Sequence, residues 1–173
     1  MKGQVQTQVF FYILGLIIMS LILIIGYRGI KSIGSQAEQA KVISFEKDMY
    51  NAIKAMKGDV GSTRTEVFYP PAGIEYICFY GPTASSPPID SYYLPPMVKS
   101  TIQSGAKDNM FVMKRVTVDA SGNINGGTIE HQTNVGEIIV NDITKVCHKV
   151  AGGQVNIKLE GKGNKVMIQD PVS

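Results

Sequence analysis

From Gly3 to Tyr27 the chain carries no charged residue, and no other stretch limits so strongly what it can fold into. Within it, Val9-Phe-Phe-Tyr-Ile-Leu-Gly-Leu-Ile-Ile-Met-Ser-Leu-Ile-Leu-Ile-Ile-Gly26 is apolar at nearly every position. At about 1.5 Å per residue, a helix of this length matches a hydrocarbon core of roughly 30 Å. A buried core helix is one alternative, but core helices rarely stay apolar on all faces for so long. A secretory signal peptide is another. Its apolar region is shorter, about 7–15 residues, and a small-x-small cleavage site follows it. Here Tyr27-Arg28 and Lys31 follow instead. The pattern predicts a membrane-spanning helix over residues 4–27 that stays attached as an anchor.

The rest of the 173 residues leaves room for one ordinary domain, given typical sizes of about 100–150 residues. Seventeen Lys and Arg against fourteen Asp and Glu give a net charge of only +3, and the basic residues form no cluster. An electrostatic nucleic-acid binder is therefore not expected.

In front of the apolar run stand Met1-Lys2-Gly3-Gln4 and Val5-Gln6-Thr7-Gln8. A basic residue, a glycine and a polar residue directly before a long apolar helix resemble the class III leader of archaeal type IV pilins. The resemblance covers roughly the first 27 residues. It implies a cut by a membrane prepilin peptidase after Gly3, removing residues 1–3 and leaving Gln4 as the first mature residue. Lys2, Gly3 and Gln4 are then the leader-cleavage residues. Bacterial pilins carry a Glu at the fifth mature position, which falls on Gln8 here. A neutral amide does not pair with a neighbour's terminal ammonium as a carboxylate does, but it still accepts a hydrogen bond, and archaeal members often lack that Glu.

Charges flanking the anchor do not orient it, because Lys2 and the terminal amine balance Arg28 and Lys31. The cysteines decide the direction. Cys78 and Cys147 are the only two, far apart in the soluble part, which suits one disulfide in an exported domain. Closing a loop of some seventy residues contributes about 4 kcal/mol by the chain-entropy estimate. Two free buried thiols are the alternative. The amino terminus is expected inside and the domain outside.

Past the membrane, residues 28–57 read as an amphipathic stalk helix. Val42, Phe45, Met49, Ala52 and Met56 step by three and four and gather one apolar face suited to packing on a sheet. Ile30, Ile33, Ala37 and Ala40 follow the same spacing in another phase. In a pilin-like subunit that lower stripe, with Gln8, would meet neighbouring helices. Gly58 is a natural stop. Ser35-Gln-Ala-Glu38 also reads as a capping box, which would start a separate helix after a hinge at Gly34.

Over residues 58–173 the pattern changes to alternation. Glu66–Tyr69, Ile74–Tyr80, Met110–Val118, a return near Ile124, Glu137–Val140 and Ile143–Val150 are strand candidates. The clearest signal is Val155, Ile157 and Leu159 alternating with polar residues, then the turn Gly161-Lys-Gly-Asn164, then Val166 and Ile168. That is a hairpin with one buried face. The expected fold is α+β: a long N-terminal helix, membrane-spanning then amphipathic, packed on an antiparallel sheet of about five strands. It has the lollipop shape of pilin-like proteins. Seven of eight prolines fall between Pro70 and Pro96, which predicts an extended surface loop. Its Tyr92-Tyr93 pair either packs the loop down or contacts another subunit or a surface ligand.

Chemistry is hard to find. The glycine clusters lack the spacing and strand-to-helix context of a phosphate loop. A zinc site would need Cys78, Cys147, His131 and His148, the whole stock of Cys and His, yet Cys147 and His148 are adjacent and point to opposite faces of a strand. Both histidines read as surface residues. Ser85, Ser86 and Ser91 lack the strained turn that exposes a catalytic serine. No enzymatic activity, metal or cofactor is expected.

Two readings remain. The resemblance implies a structural subunit of an archaeal type IV pilus-like surface filament. Its partners are copies of itself, the membrane, the prepilin peptidase and the pilus assembly machinery. The other reading is a permanently anchored single-pass surface protein whose β domain binds another envelope component.

Overall fold

The computed structural model describes residues 4–82, 87–140 and 142–170, with residues 4–8 and 29–37 described by their backbone alone. The protein is α+β, and the chain divides into two compact units, Met1–Ala40 and Lys41–Ser173. Helix α1 runs unbroken over Gln4–Met56 and belongs to both. The expected break at Gly34 is absent, and Ser35 to Glu38 continue the helix instead of capping a new one. A glycine costs about 1 kcal/mol relative to alanine inside a helix, less than reopening four backbone donors and acceptors.

In the second unit, Phe45, Met49, Ile53 and Met56 of α1 are buried, while Lys47, Asp48, Asn51 and Lys54 face water. Ala52 packs against the core and Val42 is half-buried. The buried stripe is therefore wider than the sequence spacing suggested. Ile53 belongs to it because it sits one turn beyond Met49.

Among the described residues eight strands follow: β1 Thr63–Phe68, β2 Tyr76–Phe79, β3 Met110–Val118, β4 Ile124–Thr133, β5 Ile138–Val140, β6 Cys147–Lys149, β7 Val155–Gly161 and β8 Val166–Gln169. They form two four-stranded sheets, ordered β1-β7-β8-β5 and β4-β3-β2-β6. A single sheet of about five strands is thus corrected to two sheets. One pair, β5 with β8, is parallel, with Ile138 opposite Val166 and Val140 opposite Ile168. The reason lies in the amount of apolar surface. The α1 stripe, the inner residues of β7 and β8, and Met110 to Met113, buried on both faces of β3, exceed what one sheet against one helix covers.

The β7–β8 hairpin forms as the alternation predicts, with Leu159 opposite Ile168 and Gly163 in the left-handed region at φ 82°. Gly161 ends β7 at a close approach: a Cβ there would collide with the carbonyls of Asp59 and Met56 at the end of α1. Its N–H donates to Ser62 at 3.0 Å, and its carbonyl accepts from Gly61 at 2.8 Å. This fastens the exit of α1 to both β1 and β7.

The proline-rich span is more ordered than an extended loop. After β2 it makes a 3-10 turn at Ile89–Ser91 and then helix α2, Pro96–Gln103, which begins with proline where proline suits a helix start. Tyr92 and Leu94 are buried and hold the span to the domain.

Candidate functional site

Every side chain from Val9 to Arg28 is exposed on α1, and the segment has a mean hydropathy of 2.8. It is one helix long and apolar enough to cross a membrane. Thirteen Leu, Ile, Val and Phe residues lie between Val9 and Gly26, and at about 0.3–0.6 kcal/mol each they favour insertion by about 4–8 kcal/mol. The serine in the middle does not oppose this. The Ser20 hydroxyl donates to the Leu16 carbonyl at 2.8 Å, so the helix satisfies it without water. Tyr12 and Tyr27 lie toward opposite ends, where amphipathic rings suit a membrane–water boundary.

Lys2 and Gly3, expected at a leader cleavage site, lie outside the described residues. Gln4 is the first residue of α1. Gln8, Ile30, Ile33 and Ala37 lie on the same continuous helix, with side chains outside the described set, and Ala40 is exposed. Beyond Ala40, two more apolar side chains of α1 are exposed. Ile43 is 64 % exposed and Tyr50 is 43 % exposed. Ile43 and Tyr50 are two turns apart, i to i+7, on the side of α1 away from Phe45 and Met49, with Lys47 between them.

Cys78 and Cys147 form the predicted disulfide, directly opposite each other on β2 and β6. His148, expected at the surface, is instead only 4 % exposed. The parity of β6 decides this: Cys147 is half-buried on one face, so its neighbour turns into the domain. His148 Nδ1 donates to Asp170 Oδ1 at 2.9 Å, tying β6 to the residue after β8 and thus one sheet to the other. Lys145 Nζ approaches the other oxygen of Asp170 at 3.6 Å. The Phe79 ring meets the imidazole edge-on at 5.7 Å, and Nε2 has no hydrogen-bond partner among the described residues. Burial pushes the imidazole below its ordinary pKa, against the opposing pull of the Asp170 carboxylate. A neutral histidine in this place braces two sheets.

The Tyr92-Tyr93 pair is split. Tyr92 points inward, its ring edge-on to Tyr80 at 5.3 Å. Tyr93 points out over a cleft between the Asp90–Lys99 segment and the β3–β4 turn. Among the described residues no three His, Cys, Asp or Glu side chains come together as metal ligands. No protein-family model, curated protein or solved structure matches this chain.

Proposed function

We propose that the chain is a structural subunit of an archaeal type IV pilus-like surface filament, held in the membrane by residues 4–27 until it assembles through α1. Residues 1–3 are its leader, cut after Gly3, its amino terminus faces the cytoplasm, and its β domain lies outside. The observation that carries this reading is the apolar surface left bare beyond the membrane-length segment. Ile43 lies fifteen residues past Arg28, about 22 Å along a helix, and it and Tyr50 face away from the core. A filament core of packed helices covers them, together with Ile30, Ile33, Ala37 and Ala40. The Val9–Arg28 segment then passes from lipid into a bundle without exposing its apolar surface to water.

Intact-mass measurement of the membrane-extracted protein, paired with electron micrographs of the cell surface, tests this. A chain beginning at Gln4 and visible filaments are expected, with filaments lost in Ile43→Asp while the protein stays folded and membrane-bound. A chain beginning at Met1, with no filaments, overturns the reading in favour of a permanent single-pass anchor.

A further inference from the structure

We propose that the cleft between the Asp90–Lys99 segment and the β3–β4 turn binds a neutral polyhydroxylated ligand, a sugar residue of an oligosaccharide. The inference holds whether or not the chain forms filaments. The cleft is an open one of about 460 Å³, within the range of about 300–1,000 Å³ usual for small-molecule sites.

Its walls are held from behind, which leaves their outward groups set in place. On one side, Lys99 Nζ donates to the Asp90 carbonyl at 2.9 Å and Gln103 Nε2 donates to Asp90 Oδ1 at 3.3 Å. Buried Tyr92 anchors the next residue, and the Tyr93 N–H donates to the Ile143 carbonyl at 2.9 Å, which fixes the backbone of a ring that is 52 % exposed. On the other side, Asp119 Oδ1 accepts the N–H groups of Ser121 and Asn123, both at 2.9 Å. Asn125 Oδ1 accepts the Thr117 hydroxyl at 2.8 Å. Each bond uses one atom of its group and leaves another. Among the described residues, Oδ2 of Asp90 and of Asp119 remain as acceptors, and both protons on Asn125 Nδ2 remain as donors.

The mixture of donors and acceptors selects the ligand class. An inorganic anion needs donors and would meet two carboxylates; a cation needs acceptors and would meet the Lys99 ammonium. A metal ion would need a third ligand of the kind that is absent among the described residues. A sugar hydroxyl donates and accepts at once, so a row of them fits carboxylate oxygens and an amide side by side. Its C–H face needs a flat apolar partner, and the outward Tyr93 ring supplies one.

The test is saturation-transfer NMR on the full chain in lipid nanodiscs, since alkyl-glycoside detergents would compete. The probes are methyl α-glucoside, methyl α-mannoside, methyl β-galactoside and N-acetylglucosamine, with inorganic phosphate and arginine as charged comparisons. Transfer to at least one sugar and to neither charged probe is expected. Tyr93→Ala should weaken that binding by about tenfold, the loss of one aromatic contact face. Tyr69→Ala, an exposed tyrosine elsewhere, should leave it unchanged, and both variants should melt like the parent because neither ring is buried. No transfer to any of the four sugars, stronger binding of phosphate or arginine, or equal binding by Tyr93→Ala each overturns the proposal.

Discussion

Residues 9–28 and 41–56 lie on the same helix and share its hydrogen-bonding geometry, yet they meet opposite chemical demands. In the first segment nearly every residue is apolar and every side chain is exposed, which suits a helix long and apolar enough to cross a membrane. In the second, Phe45, Met49, Ile53 and Met56 form one stripe that is buried to a few per cent, and Lys47, Asp48, Asn51 and Lys54 share the exposed sides with Ile43 and Tyr50. The two segments of one helix are thus suited to two different surroundings. The apolar content of a segment does not reveal which one applies; the angular distribution of that content does.

Substitutions that are alike in chemistry and differ only in segment probe this division. Met49→Ala removes a fully buried side chain and should cost the β domain about 2–5 kcal/mol in denaturant unfolding followed by tyrosine fluorescence. Ile25→Ala, which removes a comparable side chain from an exposed position, should change that value by less than about 0.5 kcal/mol. Equal effects would break the comparison.

Ile17→Arg acts in the reverse sense. A charge at the helix centre should oppose insertion by about 2.5–3.5 kcal/mol, a large part of what the thirteen apolar residues supply. Alkaline carbonate extraction should move the variant from the membrane pellet toward the supernatant, with the unfolding midpoint of the β domain unchanged. A coupled loss of both would show that the two surroundings are not separate.

The smallest expected effect concerns His148 and sharpens the description of the second segment's domain. Its folded pKa lies below the ordinary value of about 6.5 that the unfolded chain recovers. The unfolded state therefore binds the proton first as pH falls. The stability associated with neutral His148 is present above about pH 6.5 and is lost on acidification from there toward the folded pKa. Thermal melts between about pH 7 and pH 5 should show this decline, and His148→Phe should flatten it. An unchanged slope in that variant would assign the decline to other groups.

Much of this architecture was legible because it depends on local periodicity. Val155, Ile157 and Leu159 alternate as a strand with one wet face must, and the cysteines, even in number and far apart, pair as exported ones do. What escaped depends on who the neighbours are. That β5 lies parallel to β8 is a choice among strand orders that no residue in Ile138–Val140 announces. His148 looked like a surface residue because polarity is written in the sequence, whereas the register that turns it toward Asp170 is not. Helix α2 was hidden by its own start signal, since Pro95-Pro96 reads as loop until the following residues are seen to pack. Ile43 and Tyr50 escaped because Lys47 interrupts the short apolar spacing between them.

The disulfide also determines how the chain responds to being cut. Cys78 and Cys147 enclose α2, β3, β4, β5 and the whole sugar-sized cleft in one covalent ring, and α1, β1, β7 and β8 lie outside it. A single peptide-bond cleavage anywhere inside the ring opens it without releasing a fragment, since each half keeps one of the two linked sulfurs. A cleavage outside the ring leaves the severed piece held by non-covalent contacts alone, as β7 is held to β1. The segment carrying the cleft is therefore the part of the molecule that survives a nick while staying covalently joined to the rest of the chain.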